Sequence, residues 1–327
     1  MRALWSSPSY YFIALLPSAA LLDYFVGDPW SWPHPVQVMG QVITLYTRRV
    51  LNRNYSPTTL RCLGILLAFL LIGGTGTMTA AALWILAKQS VMLRWCVELV
   101  LLASCFAGRS LRDSAEDVFE PLLEKDLPEA RERLSKYVGR DTQSLSALEI
   151  RRAVLETVSE NAIDGVLAPL FYAIVGALVG WAAPMALAYK AASTLDSMVG
   201  YKEAPYTHIG WFSARFEDGL TWLPCRLSVL MIAILSGHPK RVLSLCNRDA
   251  SADPSPNAGW SECAYASALG VQLGGRNTYR GKIKDKPLLG DDLHPIVQET
   301  VWQALRLTRW SFIIGLIVGM ALLLAVV

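Results

Sequence analysis

Three carboxylates recur at helical spacing near the middle of the chain. Glu156, Glu160 and Asp164 are four residues apart and Arg152 lies one turn before them, so a helix over 146–164 places all four on one face. Like charges at this spacing repel, and Asp164 borders an apolar run in which an unpaired carboxylate is costly. Mg²⁺, which binds one or two carboxylates together with phosphate oxygens, would relieve both costs. We expect Glu160 and Asp164 to be Mg²⁺ ligands, with a solvated helix face as the alternative.

A second polar segment, YKAASTLDSMVGYK at 189–202, directly follows an apolar run. Lysine ammonium groups are common partners of phosphate, and hydroxyl groups add hydrogen-bond donors. The segment contains both, together with one carboxylate: Lys190, Thr194, Asp196, Ser197 and Lys202. This composition favours phosphate binding, although a helix end with snorkelling lysines explains the same spacing.

Other polar groups are less specific. Arg215, Glu217 and Asp218 lie at the edge of an apolar run that contains Arg226, and opposite charges there most often form an ordinary ion-pair network. The segment SPNAG, which begins at Ser255, consists of turn formers.

Two more segments invite a ligand but do not require one. Gly27-Asp28-Pro29 and Pro33-His34-Pro35 form a rigid polar loop in which a lone histidine is more often structural than a ligand. The glycines of GGTG at 73–76 lie inside an apolar run, where small residues let helices approach. Because the chain has no G-x-x-x-x-G-K-[ST] motif, any use of ATP does not involve a Walker A loop.

The elements that must position these side chains are apolar. The chain is 53% hydrophobic and 17% charged, against about a quarter charged in soluble domains, so a membrane is the expected solvent. The apolar runs cover residues 11–26, 60–87, 91–107, 166–189, 220–236 and 311–327. About 20 apolar residues cross a bilayer core, so the second and fourth runs are long enough and the others are borderline. We predict an all-α, multi-pass integral membrane protein with a single membrane domain over 1–327.

The positive-inside rule predicts which polar stretches are cytoplasmic. Arginines at 48, 49, 53 and 61 flank the second run, which places 27–60 in the cytoplasm. Counting crossings places a helical insert over 108–165 on the same side, and Arg306 and Arg309, just before the last run, place a loop region over 237–310 there too. The polar segment after the fourth run is then stranded outside, unless that run or the fifth is re-entrant or broken. Residues that favour a broken fourth run are Pro169, Gly176, Gly180 and Pro184.

The insert over 108–165 has a helical pattern. We predict helices over 114–125, 127–137 and 146–164. Ser146 and Glu149 match a capping box at the start of the last helix, and Gly165 stands where a glycine would end it.

Composition excludes several classes of protein. The six cysteines lie far apart without a C-x-x-C motif, so a zinc site is not predicted. The four histidines are scattered, so a helix that binds a metal through an H-x-x-x-H motif is not predicted either. A net charge of +3 is too small to indicate nucleic-acid binding. The first apolar run, preceded by Arg2, has a signal peptide as its alternative interpretation, but the later runs predict a membrane protein in either case.

Several longer motifs are more specific than any of these groups alone. They are GDP at 27–29, PHPV at 33–36, FAGRSL at 106–111, VGRDT at 138–142, ETVSENAIDGVLAPLFY at 156–172, YKAASTLDSMVGYK at 189–202, GWFSAR at 210–215, SPNAGW at 255–260 and ALGVQLGG at 268–275. In these motifs and in their order, over nearly the full length, the chain resembles the CobD/CbiB family, the adenosylcobinamide-phosphate synthases of cobalamin (vitamin B12) biosynthesis.

The resemblance implies a specific reaction. It implies a multi-pass enzyme of the inner cell membrane, with its active site facing the cytoplasm, which uses ATP and Mg²⁺ to join two substrates through an amide bond. The corrinoid substrate is adenosylcobyric acid, and the amine is aminopropanol phosphate or ethanolamine phosphate. The product is adenosylcobinamide phosphate. Candidate partners are the lipid bilayer and other membrane enzymes of the cobalamin pathway, whereas no nucleic acid is expected.

Charge and placement suggest a division of roles among the matching positions. Amide formation requires activation of a carboxylate, most simply as an acyl phosphate, and phosphoryl transfer requires Mg²⁺ and cations around the phosphates. Candidate catalytic residues are Glu156, Glu160, Asn161, Asp164, Asp196 and Asp218, of which Asp196 or Asp218 would take the proton of the incoming ammonium. Candidate binding residues are Lys190, Thr194, Ser197, Lys202, Arg215, Ser255 and Asn257.

The chain departs from the family pattern at three places. Ser193 stands where the family usually has Asn, and Glu217 replaces the first Asp of an Asp-Asp pair. Ser251-Ala252-Asp253 occupies positions that usually include basic residues and a His, which weakens an anion-binding role for the stretch beside SPNAG.

Two other classes of function compete with the enzyme. A transporter also places polar residues in a membrane bundle, but the large polar stretches and the lack of inverted repeats do not favour one. A non-catalytic membrane sensor is the second alternative, although the carboxylates and lysines of the motifs are all present.

Overall fold

The described part of the protein consists of helices and one β-hairpin. A computed structural model describes residues 8–27 and 34–326. Asp28, Pro29 and Pro33, which belong to the predicted polar loop, lie outside the described residues. In the described part, a two-stranded antiparallel sheet accompanies the helices, so the predicted all-α class is confirmed with this small addition.

The elements follow one another closely. The helices of the first half are α1 Pro8–Phe25, α2 Pro35–Leu51, α3 Pro57–Ala68, α4 Gly74–Gln89, α5 Val91–Ala103, α6 Gly108–Leu123, α7 Leu127–Ser135 and α8 Ala147–Asn161. The second half contains α9 Ala168–Leu178, α10 Ala182–Val199, α11 Trp211–Leu235, α12 Pro239–Asp249, α13 Ala258–Leu269, β1 Leu273–Tyr279, β2 Lys282–Leu289 and α14 Gln298–Ala325. Single π-helical turns over Phe69–Gly73 and Ala162–Leu167 join α3 to α4 and α8 to α9, and a 3₁₀ turn over Ala250–Ala252 follows α12.

Among the described residues, five helical stretches are long and apolar enough to cross a membrane. They are Pro57–Gln89, Val91–Leu123, Ala147–Leu178, Trp211–Leu235 and Gln298–Ala325, and a shorter apolar helix covers Tyr10–Phe25. The predicted multi-pass helical membrane protein is thus confirmed. The run 166–189 is divided, because its first half completes the stretch that begins at Ala147 and its second half begins α10.

The chain forms two compact units. The described parts of Met1–Ala107, Ala168–Thr221 and Gly315–Val327 make the first unit, and Gly108–Leu167 and Trp222–Ile314 make the second. The single membrane domain that the sequence predicts stays a prediction.

In the first unit, α10 packs against α2, α4, α5 and α9. Its buried face is rich in alanine, which lets neighbouring helices approach closely. Between α9 and α10 the chain reverses at Gly180, whose φ of +83° is costly for residues with a Cβ. This reversal is the break that the glycines and prolines of the run predict.

A close backbone contact joins α3 to the loop before α11. A Cβ at Gly64 would overlap the carbonyl oxygen of Ile209, whereas a Cβ at Gly73, in the π-helical turn after α3, would meet nothing within 4 Å. Gly64→Ala should therefore destabilise the protein by about 1–3 kcal/mol, as overpacking does. Gly73→Ala should have little effect, since it adds no clash. Thermal unfolding of the two variants in detergent micelles checks this, and equal melting temperatures would contradict the contact.

In the second unit, a capping box confirms the predicted start of α8. Ser146 accepts a hydrogen bond from the backbone N–H of Glu149, and Glu149 accepts one from the backbone of Ser146. The predicted end at Gly165 is wrong. The backbone passes through the π-helical turn Ala162–Leu167 into α9, and Gly165 is buried within that turn. Apolar residues after Gly165 continue the helix, so no reversal requires glycine.

The region 237–310 is more regular than the predicted loop region. It contains α12, α13, the hairpin and the start of α14. The hairpin turns at Arg280 and Gly281, which both have positive φ, as a two-residue hairpin turn requires. Side chains from α6, α8, α12, α13 and α14 share one apolar core with Leu273 and Leu289 of the hairpin.

Candidate active site

Glu156 is a buried residue of α8 that links this helix to the hairpin by a hydrogen bond. Its carboxylate receives a hydrogen bond from the Arg140 guanidinium and another, at 3.0 Å, from the backbone N–H of Gly274. Arg152, one turn earlier on α8, lies 3.9 Å from the same carboxylate. With 1% of its surface exposed and both oxygens bound, Glu156 is suited to positioning and not to metal ligation.

The VGRDT segment at 138–142 ties the hairpin to α8. Asp141 accepts hydrogen bonds from the backbone N–H groups of Arg280 at 2.9 Å and Gly281 at 2.7 Å, which fixes the hairpin turn. Arg140 also donates to the Asn277 side chain at 3.0 Å. The sequence predicts no role for Arg140 or Asp141 beyond their place in the VGRDT motif, because isolated charges in a loop give no periodic signal.

Glu160, Glu262 and Lys286 bring three elements together. The Lys286 Nζ lies 3.2 Å from Oε1 of Glu262, whose side chain is fully buried, while the other oxygen of Glu262 has no hydrogen-bond partner among the residues that the structure describes. Glu160, exposed at the end of α8, lies within the electrostatic reach of both residues. We call Glu156, Glu160, Glu262 and Lys286 the carboxylate cluster.

The charges of this cluster do not balance without a proton. Burial, with Glu160 and Glu156 nearby, raises the pKa of Glu262 to about 8, although Lys286 acts in the opposite direction. Burial lowers the pKa of Lys286, but the surrounding carboxylates raise it by more, so Lys286 stays charged. One ammonium cannot neutralise both Glu160 and Glu262, and a proton on Glu262 supplies the difference.

This protonation predicts a pH dependence of stability. The folded-state pKa of Glu262, about 8, lies above its ordinary value of 4.5, so in this interval the folded protein binds a proton that the unfolded chain does not. The stabilisation that this proton gives the folded protein is complete below about pH 4.5 and is lost as the pH rises through about 8. Glu262→Gln should remove this part of the dependence, and Glu132→Gln, at an exposed position of α7, should retain it. Melting temperatures between pH 5 and 9 measure it, and parallel curves for parent and Glu262→Gln would contradict the assignment.

Asp164 and Asn161 lie at the junction of α8 and α9. Asp164 is half-buried in the π-helical turn, a feature often found at functional sites. The wider turn interrupts the regular spacing of the carboxylate stripe after Asn161, whose side chain donates to the Thr157 carbonyl at 2.9 Å. Within residues 8–27 and 34–326, no group of three or more His, Cys, Asp or Glu side chains is placed to hold a metal ion by itself.

The polar segment of the first unit lies on α10 and the loop after it. Thr194 donates to the Lys190 carbonyl at 2.7 Å, and Ser197 donates to the Thr194 carbonyl at 3.0 Å. Both hydroxyls thus bond within the helix, and Ser197 is exposed. Lys202 is exposed in the loop, and Lys190 is half-buried.

Asp218 and Asp196 belong to one polar cluster in the first unit. Lys202 and Arg215 act electrostatically on Asp218, while Asp196 and Asp218 both act on Glu217. Glu217 is buried, and it accepts hydrogen bonds from Thr221 and, at 3.4 Å, from Tyr189. Tyr189 stacks on Tyr172 with ring centroids 4.8 Å apart. The fold thus brings predicted carboxylates and cations together, with Glu217 held by Tyr189 and Thr221, which were not predicted.

The SPNAG turn leads into α13 in the second unit. The Ser255 hydroxyl accepts hydrogen bonds from the backbone N–H groups of Asn257 at 3.3 Å and Ala258 at 3.1 Å, so it stabilises the turn. Asn257 is buried, and its side-chain oxygen lies 3.5 Å from Arg226. Arg226 also donates to the Pro256 carbonyl at 3.0 Å and lies over the ring of Trp260. Both predicted residues therefore make structural contacts, and Asp253, one of the departures from the family pattern, accepts from the Ser255 N–H at 2.8 Å.

His34 caps a helix. Its Nδ1 accepts a hydrogen bond from the backbone N–H of Val36 at 3.2 Å at the start of α2. The structural interpretation of this histidine is thus supported.

Comparison with known proteins identifies the family. Residues 16–308 match the family model described as CobD/Cbib protein. The cobalamin biosynthesis protein CobD of Synechocystis sp. is 48% identical over 316 residues, 96% of this chain and 92% of that protein. The cobalamin biosynthesis protein CbiB of Salmonella typhimurium is 42% identical, over 88% of this chain and 90% of that protein. No solved structure matches the chain. This chain belongs to the CobD/CbiB family.

Proposed function

We propose that this protein acts in cobalamin biosynthesis as an adenosylcobinamide-phosphate synthase. The reaction is the ATP-dependent ligation of adenosylcobyric acid with aminopropanol phosphate or ethanolamine phosphate. The observation that carries the proposal is the 48% identity to the cobalamin biosynthesis protein CobD of Synechocystis sp. over 96% of this chain. The grouping of Asp196, Asp218, Lys202 and Arg215 around one polar cluster supports it, since the reaction needs a base beside cations that hold phosphate.

The proposed chemistry has two steps. A carboxylate oxygen of the corrinoid attacks the γ-phosphorus of ATP, so that an acyl phosphate forms and ADP leaves. The amine nitrogen then attacks the acyl carbon, and inorganic phosphate leaves. Before this attack the ammonium must lose a proton, and Asp218 is suited to accept it because it is half-buried and lies near two cations. Asp196 is the other candidate base.

Mg²⁺ fits the second unit only with help from the nucleotide. The candidate carboxylate ligands are Glu160 and Asp164, and Mg²⁺ commonly combines one or two carboxylates with phosphate oxygens and water. Lys286 lies near Glu160 and competes with Mg²⁺ for its carboxylate, so we expect Mg²⁺ to bind weakly. When bound, Mg²⁺ would neutralise charge on the phosphates.

The decisive experiment is a turnover measurement. Purified protein in detergent, incubated with adenosylcobyric acid, aminopropanol phosphate and Mg-ATP, should release ADP and adenosylcobinamide phosphate in equal amounts. Omission of either substrate should abolish both products. Corrinoid binding without product would instead indicate a sensor, and corrinoid movement across proteoliposomes without product would indicate a transporter.

We further propose that the site faces the cytoplasm of the inner membrane, because its phosphorylated substrates are cytoplasmic. Ser197 is exposed, so a cysteine there can react with a thiol reagent. Ser197→Cys in a background without Cys62, Cys96 and the four buried cysteines should react with an impermeant maleimide in inverted vesicles and not in intact cells. Labelling of intact cells would contradict this orientation. The cysteine-free parent is the control for background labelling.

A further inference from the structure

Two arginines of the first unit share one indole ring. The Arg61 guanidinium carbon lies 5.3 Å from the ring centroid of Trp211, and that of Arg215 also lies 5.3 Å from it. The two positive charges are therefore separated by no more than about 10.6 Å. Both arginines are exposed, and the ring retains 38% of its surface, so a ligand can approach all three groups.

Packing fixes this arrangement. The close approach of Gly64 to Ile209 places the start of α3, with Arg61, beside the start of α11. Phe69 stacks on Phe212 with ring centroids 5.8 Å apart, which adds an aromatic contact near the glycine contact. Arg215 lies on α11, one turn after Trp211, whereas Arg61 lies on α3. The two arginines therefore contact the same ring only because tertiary structure brings α3 to α11.

The charges of the pair are not neutralised by ion pairs. Across residues 8–27 and 34–326, neither Arg61 nor Arg215 forms an ion pair with a carboxylate. Asp218 acts at longer range, and it is shared with a third cation, Lys202. A cation–π contact at an exposed ring stabilises each arginine by only about 0.5–1 kcal/mol. The arrangement therefore has a surplus of positive charge that an anion would balance.

We propose that Arg61 and Arg215 form a two-guanidinium binding site for a phosphate group beside Trp211. Guanidinium groups bind phosphate in a bidentate manner, and the several oxygens of one phosphate can meet two such groups. Arg215 was a candidate from its motif, and the structure adds Arg61 and Trp211. Two sources of this chemistry are compatible with the location, since both arginines lie near the first turns of membrane-length helices. One source is a phosphorylated substrate, an assignment that rests on the proposed function, and the other is the headgroup of an anionic lipid.

Direct binding tests the site without turnover. Purified full-length protein in neutral maltoside micelles is titrated calorimetrically with ethanolamine phosphate and, separately, with dihexanoyl phosphatidylglycerol. We expect the parent protein to bind at least one probe and Arg61→Gln to bind it about tenfold or more weakly, because a charged hydrogen-bonding group is lost. Arg61→Lys should bind with intermediate affinity, since it keeps the charge and loses the fork. Binding of ethanolamine phosphate identifies a substrate site, and binding of the lipid alone identifies a headgroup site.

The control separates this site from general surface charge. Arg49 is an exposed arginine of α2, and Arg49→Gln should bind the probes within about twofold of the parent protein. Equal losses in Arg49→Gln and Arg61→Gln would overturn the site, as would parent-like affinity of Arg61→Gln or no binding of either probe to the parent. If Arg61→Gln does not fold, Arg61→Lys takes its place, and parent-like affinity of Arg61→Lys would then overturn the site. Turnover in the absence of a binding defect would leave the proposed function standing while refuting this inference.

Discussion

Glu160→Gln and Asp164→Asn should each lower turnover by two or more orders of magnitude. Both substitutions preserve the shape of the side chain and remove a charge that would hold Mg²⁺ against the nucleotide. Metal stabilisation of phosphoryl transfer contributes several kcal/mol, and each 1.4 kcal/mol corresponds to about tenfold in rate. The expected loss is therefore in turnover, measured as ADP release at saturating substrates.

Stability should respond differently from activity. Glu160 is one of three carboxylates served by Lys286, so removal of its charge relieves repulsion and should be neutral or stabilising by a few tenths of a kcal/mol. Glu132→Gln, which changes an exposed carboxylate of α7, should leave both turnover and the free energy of unfolding unchanged. Turnover of Glu160→Gln and Asp164→Asn within about threefold of the parent, with normal membrane insertion, would assign the carboxylates to a solvated helix face.

Hydropathy predicted the membrane-length helices well, because the bilayer requires a minimum apolar length. It did not show where the fourth run divides, although Gly180 marked the position. The capping box at Ser146 was predictable because its partners are three residues apart. The end of α8 was not predictable, since a glycine such as Gly165 can end a helix or lie within a continuing one, depending on what the following residues pack against.

Long-range pairs were beyond the sequence for a physical reason. Glu262 and Lys286 are separated by a helix end, a turn and a strand, and the hairpin contains other lysines with similar neighbours, such as Lys282 and Lys284. The pairing of β1 with β2 decides that Lys286 lies opposite Gly275, near α8, while Lys282 lies by the turn. A single acid in the apolar segment of α13 was the available signal for Glu262.

Lys286→Met should be the most destabilising of the substitutions considered in the second unit. The ammonium lies 3.2 Å from a fully buried Glu262, and above about pH 8, where both groups are charged, removal of one partner of such a pair typically costs about 3–5 kcal/mol. The destabilisation should depend on pH, since a protonated Glu262 has no charge that requires a counter-ion. Lys286 lowers the pKa of Glu262, so without Lys286 that pKa lies above its parent value of about 8. At pH 9 the variant must therefore either bury an unpaired charge or bind a proton against the solution, and the loss should be larger at pH 9 than at pH 6.

A double-mutant cycle separates this pair from ordinary loss of packing. At pH 9, Lys286→Met combined with Glu262→Gln removes both charges, so the double variant should be more stable there than Lys286→Met alone, and its pH dependence should be weak. Lys282→Met, at an exposed position of the same strand, should cost less than about 0.5 kcal/mol. Denaturant titration of the detergent-solubilised variants measures these differences. Additive effects of Lys286→Met and Glu262→Gln would show that the two side chains do not act as a pair, because removal of a buried charge should rescue the loss of its counter-ion.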